Sequence, residues 1–243
     1  MVKYFLAYGI IDRSMKNKQS SIKLISYNLK YNRANSELVN LVNNYDADIL
    51  CIQECHSDKL PDQIGDLVLA EKTENGRFNL ATYYRKGRFF GTDSSRHVLK
   101  HSLLEKLYMP QMERLLITKI YDRESGQEIS IGSFHATHHV ATNYLRRQQI
   151  KSAHKLLSSS SQGSPAVMVG DYNYLLFKKR LKIRIEKSGY KMSLSDRPTY
   201  YMNKYIRARL DLATSMNTNV ERVLALPKGK LSDHAPILVQ IAI

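Results

Sequence analysis

The sequence predicts an α/β fold of two packed β-sheets flanked by helices, and three observations lead to it. Short runs rich in Ile, Leu and Val recur along the whole chain and outnumber the stretches with helical spacing. They lie far apart in sequence, with helical segments between them to cover two sheets. No internal repeat or Pro-rich linker divides the 243 residues, a length at which one domain buries its core without disulfides or a structural metal.

Residues 22–27 and 48–53 are apolar and rich in Ile and Leu, as buried strands are. Residues 35–45 place Leu38, Leu41 and Val42 at helical spacing, giving strand, helix, strand with a crossover between neighbouring strands. Further strands are expected at 67–71, 78–85, 114–121, 128–134, 166–169, 209–214 and 236–243. The spacing of Leu145, Ile150, Ala153 and Leu157 predicts a helix over 142–157, and a second, very basic helix is expected over 175–187. Ser158 to Ser161 read as a loop after the first helix. The domain is expected to span 22–243, with residues 1–21 as an N-terminal extension.

Cys51 and Cys55 lie four residues apart in one expected strand, on the same face and about 13 Å from each other. That separation excludes a disulfide, and no His or Cys cluster nearby in sequence supports zinc. Cys51 therefore reads as a buried thiol and the protein as cytoplasmic. The alternative, secretion, rests on one Lys and a short apolar run near the N-terminus that lacks a small-residue cleavage site.

Thirty-seven Lys and Arg against twenty-two Asp and Glu give a net charge of +15, which attracts polyanions at long range. Residues 176–230 hold fourteen basic and four acidic side chains, two thirds of the excess. A nucleic acid or an anionic membrane surface is the partner such charge suits. No apolar run approaches the roughly 18 to 20 residues that cross a bilayer, so no stable membrane insertion is expected. A monomer is expected.

The polar residues that carry chemistry stand where apolar runs end, where a strand delivers a side chain to a sheet rim. Asn28 closes Ser26-Tyr27-Asn28, and its amide suits a carboxylate or a hydrated metal, although Asn at a strand end is commonly a turn residue. Glu54 closes Ile49-Leu50-Cys51-Ile52-Gln53-Glu54. A carboxylate there is costly to bury unless a Lys, an Arg or a hard cation such as magnesium meets it. In Gly170-Asp171-Tyr172-Asn173, the acid and the amide face one way if the chain stays extended, whereas an Asx turn is the alternative. Ser232-Asp233-His234-Ala235-Pro236 sets an acid beside the side chain that titrates near neutral pH. Adjacent strand residues point apart, so Asp211 in Arg209-Leu210-Asp211-Leu212 is the expected partner of His234.

Taken in this order, the segments Tyr27-Asn28-Leu29, Ile52-Gln53-Glu54, Gly170-Asp171-Tyr172-Asn173, Arg209-Leu210-Asp211 and Ser232-Asp233-His234-Ala235-Pro236 resemble the endonuclease/exonuclease/phosphatase superfamily. DNase I, exonuclease III and the AP endonucleases are members. The likeness covers residues 22–243 and implies a four-layered, DNase I-like α/β sandwich of two mixed sheets. It also implies metal-dependent hydrolysis of a phosphoester at the sheet rims. Carried over by position, Glu54 looks like the main Mg2+ ligand, with Mn2+ as the alternative ion and Asn28 and Asp233 assisting. Asp171 would orient or deprotonate the attacking water, with Asn173 holding it. His234 would bind or protonate phosphoryl oxygens while Asp211 fixes its tautomer. No nucleophilic Ser or Cys is needed, because phosphoryl transfer asks mainly for charge compensation and positioning.

The family also has a histidine at the end of a middle strand, here His135, with His138 as the rival. Two departures or uncertain matches surround it. Asn79 stands where DNase I has a glutamate supporting that histidine, so His135 is expected to be less basic. Arg114 resembles a phosphate-contacting position, but a surface Arg at a strand start reads the same way. The basic stretch from Lys178, Lys179 and Arg180, followed by Tyr200, Tyr201, Lys204, Tyr205 and Arg207, interleaves phosphate-neutralising charge with rings that stack on bases. It favours a polynucleotide, DNA before RNA. A phosphatase or phospholipid phosphodiesterase of the same superfamily, and a nucleic-acid binder without catalysis, are the alternatives.

Overall fold

The computed structural model describes residues 21–75, 78–102, 105, 107, 112–138, 141–202 and 206–243. Residues 1–20, Gly76, Arg77, His139, Lys204 and Tyr205 lie outside the described residues. In chain order the strands are β1 (Ser21–Asn28), β2 (Ile49–Cys55), β3 (Gln63–Ile64), β4 (Leu67–Lys72), β5 (Asn79–Arg85), β6 (Phe89–Val98), β7 (Glu113–Asp122) and β8 (Gln127–His135). They continue with β9 (Ala166–Asp171), β10 (Lys191–Leu194), β11 (Tyr200–Tyr201), β12 (Arg207–Ala208), β13 (Asp211–Met216), β14 (Asn219–Ala225) and β15 (Ile237–Ala242). The helices are α1 (Leu38–Tyr45), α2 (Asn143–Ser161) and α3 (Lys178–Glu186).

A seven-stranded sheet runs β14-β15-β1-β2-β5-β4-β3, and a six-stranded sheet runs β10-β13-β9-β8-β7-β6. Both are mixed. Each holds one parallel pair, β1 with β2 and β8 with β9, while its other pairs are antiparallel. In each parallel pair a helix supplies the crossover, α1 in the first and α2 in the second. Ile22, Leu24, Ile49 and Cys51 meet Ile129, Ile131, Val167, Val169 and Ala213 in an apolar cluster between the sheets. The outer face of the first sheet packs Ile25, Leu50 and Ile52 against Leu38 and Val42 of α1. On the outer face of the second, Phe134, Met168 and Leu212 pack against Ile150, Ala153 and Leu157 of α2 and Leu181 and Ile185 of α3. The result is a four-layered α/β sandwich, in which central strands are apolar on both faces because both faces are covered.

Several elements depart from the sequence reading. Ser158 to Ser161 form the last turn of α2, with Ser161 buried and the helix ending at Gln162 in the left-handed region. Weak helix formers are carried there by the packing of Leu157 in the turn before. The basic helix starts only at Lys178, because Phe177 has φ 64°. Strand β6 was not legible: it is an edge strand whose residues after Phe89 are mostly exposed and polar. Cys51 and Cys55 are both free and buried, but on opposite faces of their sheet. Glu54 between them has φ 55° and the pairing with β5 shifts register there, which reverses the alternation expected of a regular strand.

Candidate active site

The two parallel units end at the same edge of the sandwich. The second sheet places His135, Asp171 and Asp211 side by side, since His135 pairs with Asp171 across β8 and β9, and Asp171 with Asp211 across β9 and β13. Asn28 ends β1 beside Gln53 of β2, and Ser232 to His234 lead into β15, the other neighbour of β1. A buried polar link sets one sheet against the other: the Gln53 amide donates to Ser26 Oγ at 3.1 Å and to Ser133 Oγ of the opposite sheet at 3.2 Å.

Local backbone choices aim the side chains. Glu54 leaves the ladder in the left-handed region, and Lys30, Tyr31 and Asn32, all with positive φ, wrap around it. The Asn32 N–H donates to the Glu54 carbonyl at 2.7 Å and the Tyr31 N–H to its carboxylate at 3.1 Å. Gly170 has φ 141°, and a Cβ there would lie 1.9 Å from the Phe134 carbonyl oxygen, so only glycine lets β9 pass β8 and deliver Asp171.

Asp171 is the hub. Its carboxylate accepts from the Asn173 backbone N–H at 2.8 Å, the Asn173 amide at 3.0 Å and the Asn28 amide at 3.2 Å. The same Asn28 amide donates to Glu54 at 3.1 Å, which draws two carboxylates to one nitrogen, while its carbonyl accepts the Lys30 N–H at 3.0 Å. His234 Nε2 faces Asp171 at 3.7 Å, and its Nδ1 is 2.8 Å from Asp211. His135 Nε2 lies 3.6 Å from Glu54 and 3.8 Å from Asp171. Asp233 is paired with Lys30 at 3.0 Å on the more open side of the site.

Burial raises the proton affinity of Glu54. Burial also pushes Asp171 up to about 7; the charge of His234 opposes that rise, while Asp211 and Glu54 add to it. For His234, burial alone would favour the neutral form, but Asp211 and Asp171 outweigh it and lift the imidazolium to about 10. His135 is pushed well below its ordinary value, by burial first and then by the charges of Arg114, His234 and His138. The site thus holds one charged and one neutral imidazole against a cluster of acids. Among the described residues, no Lys or Arg pairs with Glu54 or Asp171. No group of three or more His, Cys, Asp and Glu among them has the arrangement of a metal cage.

The other sequence-predicted residues fall in several places. Tyr200 lies against His234, with ring centroids 4.9 Å apart, and Arg207 stands over Tyr201 on the small β11–β12 ribbon. Arg114 is buried rather than a surface residue: its guanidinium donates to the His135 carbonyl at 3.0 Å and pairs with Glu105. Asn79 is buried too, and its side-chain amide oxygen accepts from the Thr73 hydroxyl at 3.4 Å. Lys178 turns back to the Tyr174 and Leu175 carbonyls at 2.7 and 3.1 Å. Lys179 and Arg180 are exposed on the first turn of α3, in the outer layer. His138 is exposed, and its carbonyl accepts from Arg146 at 2.9 Å.

Sequence reasoning missed three supports. Glu37 accepts the Tyr27 hydroxyl at 2.7 Å and the N–H groups of Lys230 and Leu231 at 3.1 and 3.3 Å, tying down the loop before Asp233. Ser232 donates to the Asn28 carbonyl at 2.8 Å and accepts the His234 N–H at 3.0 Å. Phe78 meets His135 edge-on at 6.2 Å and Tyr31 at 5.3 Å, forming an aromatic wall. Only Ser232, inside a quoted motif, carried a local signal.

The sequence profile of the endonuclease/exonuclease/phosphatase family matches residues 25–234. A family protein from Bacteroides thetaiotaomicron is similar in structure, with TM-score 0.75 and 16% identity over 92% of this chain and 98% of that one. Danio rerio TDP2 complexed with a single-strand DNA product gives 0.71 and 18% over 92% and 100%. The mannosyl-6-phosphatase Bt3783 of Bacteroides thetaiotaomicron gives 0.71 and 17% over 91% and 100%. No curated protein matches the sequence.

Proposed function

The chain belongs to the endonuclease/exonuclease/phosphatase family, and from that premise we propose that it hydrolyses phosphodiesters of a polynucleotide, DNA before RNA, by direct attack of water. The observation that carries this reading is the Asp171 carboxylate, gripped by two amides and facing both imidazoles within 4 Å. Asp171 accepts the proton of the attacking water, with Asn173 and Asn28 fixing the direction of its oxygens. His234, charged and held through Nδ1 by Asp211, donates Nε2–H to a phosphoryl oxygen. His135, neutral, is a hydrogen-bonding group rather than a second cation.

The donor set fits a hard divalent cation, magnesium before manganese. Glu54 and Asp171 offer oxygen atoms converging on one amide, and Asp211 Oδ1 is buried without a hydrogen-bond partner. Glu54 would be the principal ligand in this reading, and Asp233, now paired with Lys30 at 3.0 Å, would assist it. Such a cation, when bound, neutralises charge that develops on the phosphoryl group and leaving oxygen.

The polynucleotide reading is supported by Phe78, which carries Tyr31, beside His135, by Tyr200 beside His234, and by Arg207 over the neighbouring Tyr201. In this reading the rings flank the reacting phosphate and stack on bases, and Arg207 meets a phosphate farther along the strand. Incubation with supercoiled, linear, single-stranded and abasic DNA in magnesium and in EDTA tests it. Cleavage is expected in magnesium only, with Asp171→Ala and His234→Ala each slower by about 10²- to 10⁴-fold. Wild-type rates in both variants would refute the assigned chemistry. Hydrolysis of bis-p-nitrophenyl phosphate with every nucleic acid left intact would replace the substrate and keep the site.

A further inference from the structure

The outer helical layer carries a surface that the proposed hydrolysis does not use. Helices α2 and α3 both begin at the catalytic edge, because each follows a strand that ends there. The Arg147 guanidinium donates to the Tyr174 hydroxyl at 3.2 Å and ties the first turns of α2 to the loop running from Asn173 into α3. Large apolar side chains stand in water at this end: Leu176 is 58% and Phe177 60% exposed, with Leu175 exposed beside them, Tyr144 exposed on the first turn of α2 and Ile183 exposed farther along α3. Single exposed apolar residues are ordinary, but three consecutive ones on a loop tip mark a contact surface.

The tip is held outward. Lys178 folds back onto the carbonyls of Tyr174 and Leu175, and the Arg180 guanidinium lies 5.5 Å over the Phe177 ring. Behind it, charge is of nearly one sign. Helix α2 carries four Lys and Arg and no acid, and α3 carries five with Glu186 alone, which pairs with Lys182. Arg147, Lys151, Arg184 and Lys187 edge a groove of about 420 Å³ between the helices, floored by Ile150, Leu181 and Ile185.

Apolar tip and cationic flank together select the partner. Leu175, Leu176 and Ile183 offer neither a hydrogen bond to phosphate nor a ring to stack on a base, whereas in a lipid interface each buries apolar surface. Lysine and arginine clusters beside such side chains complement anionic headgroups. We propose that this edge docks the protein on an anionic phospholipid surface, with Leu175, Leu176, Phe177 and Tyr144 entering the headgroup region and the solvent-exposed cations of α2 and α3, among them Lys151, Lys179 and Arg184 but not the buried Arg146, facing lipid phosphates. Docking of this kind is peripheral and sets the catalytic mouth beside the bilayer.

Co-sedimentation of the full chain with vesicles tests this. Binding to phosphatidylcholine vesicles containing phosphatidylglycerol is expected to exceed binding to phosphatidylcholine alone by at least about 10-fold and to weaken with salt. The double variant Leu176→Asn with Phe177→Asn, the second suited to the left-handed backbone, should lose about 10-fold while its thermal midpoint holds. Equal binding of wild type and variant, equal binding to both vesicle types, or no binding at all overturns the proposal. So does loss of single-stranded oligonucleotide affinity in the variant without any vesicle binding, which would make the edge a nucleic-acid surface.

Discussion

Two residues show how the site trades stability for chemistry. Glu54 is held in a left-handed backbone conformation that costs a residue with a Cβ roughly 1 to 2 kcal/mol, and its carboxylate is brought to the amide that also serves Asp171. In Glu54→Gln the shape stays and one of two crowded charges goes. The metal-free variant should therefore unfold at or above the wild-type temperature and lack the rise expected of the wild type if it binds magnesium at Glu54, about 2.7 kcal/mol at 100 times the dissociation constant. An undiminished magnesium-induced rise in the variant would remove Glu54 from the metal site. His234 makes the complementary point. Its imidazolium owes its persistence to Asp211 at 2.8 Å and to Asp171, so Asp211→Asn should lower its titration midpoint from about 10 by at least one pH unit. Imidazole NMR read from pH 6 to 11 checks this, and titration at the same midpoint in both proteins would show that Asp211 does not set the charge.

Among the elements, β9 is the one whose path is most tightly specified. Its last turn outward depends on Gly170, where a methyl group would collide with the Phe134 carbonyl at a backbone angle that L-residues rarely adopt. Gly170→Ala is expected to cost at least about 3 kcal/mol in urea denaturation, since both the contact and the φ value oppose it; a wild-type urea midpoint would show that β9 can move aside freely. This strand was legible because its apolar run is buried on both faces and ends in a glycine followed by an acid. Strands β1, β2 and β8 were legible by their buried apolar runs, without such a glycine. The edge strand β6 was not, since its exposed positions carry polar side chains and no apolar periodicity. Nor could local pattern place Glu37, Glu105 and Phe78, whose roles come from contacts with residues remote in sequence or from segments without a motif. Arg114 was visible as a residue but not as a buried one, because its partner Glu105 lies in a stretch with no strand or helix signature of its own.

At the scale of the whole molecule, an imidazole buried uncharged joins the helical layer to the six-stranded sheet, and it adds to the fold a pH dependence separate from that of the catalytic edge. His154 of α2 is buried between Ser188 at 3.1 Å and Thr214 of β13 at 2.9 Å, and it stacks on Tyr190 with ring centroids 3.9 Å apart. It thereby links the helical layer to the six-stranded sheet. Burial pushes its pKa from 6.5 down to about 3. The unfolded chain therefore binds a proton near pH 6.5 that the folded chain refuses until about pH 3. By linkage, stability is full above the unfolded value and falls as the pH drops between the two, reaching a loss of roughly 5 kcal/mol if the layer stays intact. Asp171, raised by folding, has the opposite slope and His135, lowered, has the same one; both are present in wild type and variant, so the contribution of His154 is isolated by their difference. His154→Gln keeps a hydrogen-bonding side chain without a titrating ring. It is expected to be less stable than wild type at pH 7, through the lost stacking on Tyr190, and to close that gap as the pH falls to 4. Urea midpoints measured at both values decide it: a gap that stays constant or widens toward acid would mean that His154 takes up its proton inside the fold, and that the helical layer yields before the rest of the sandwich does.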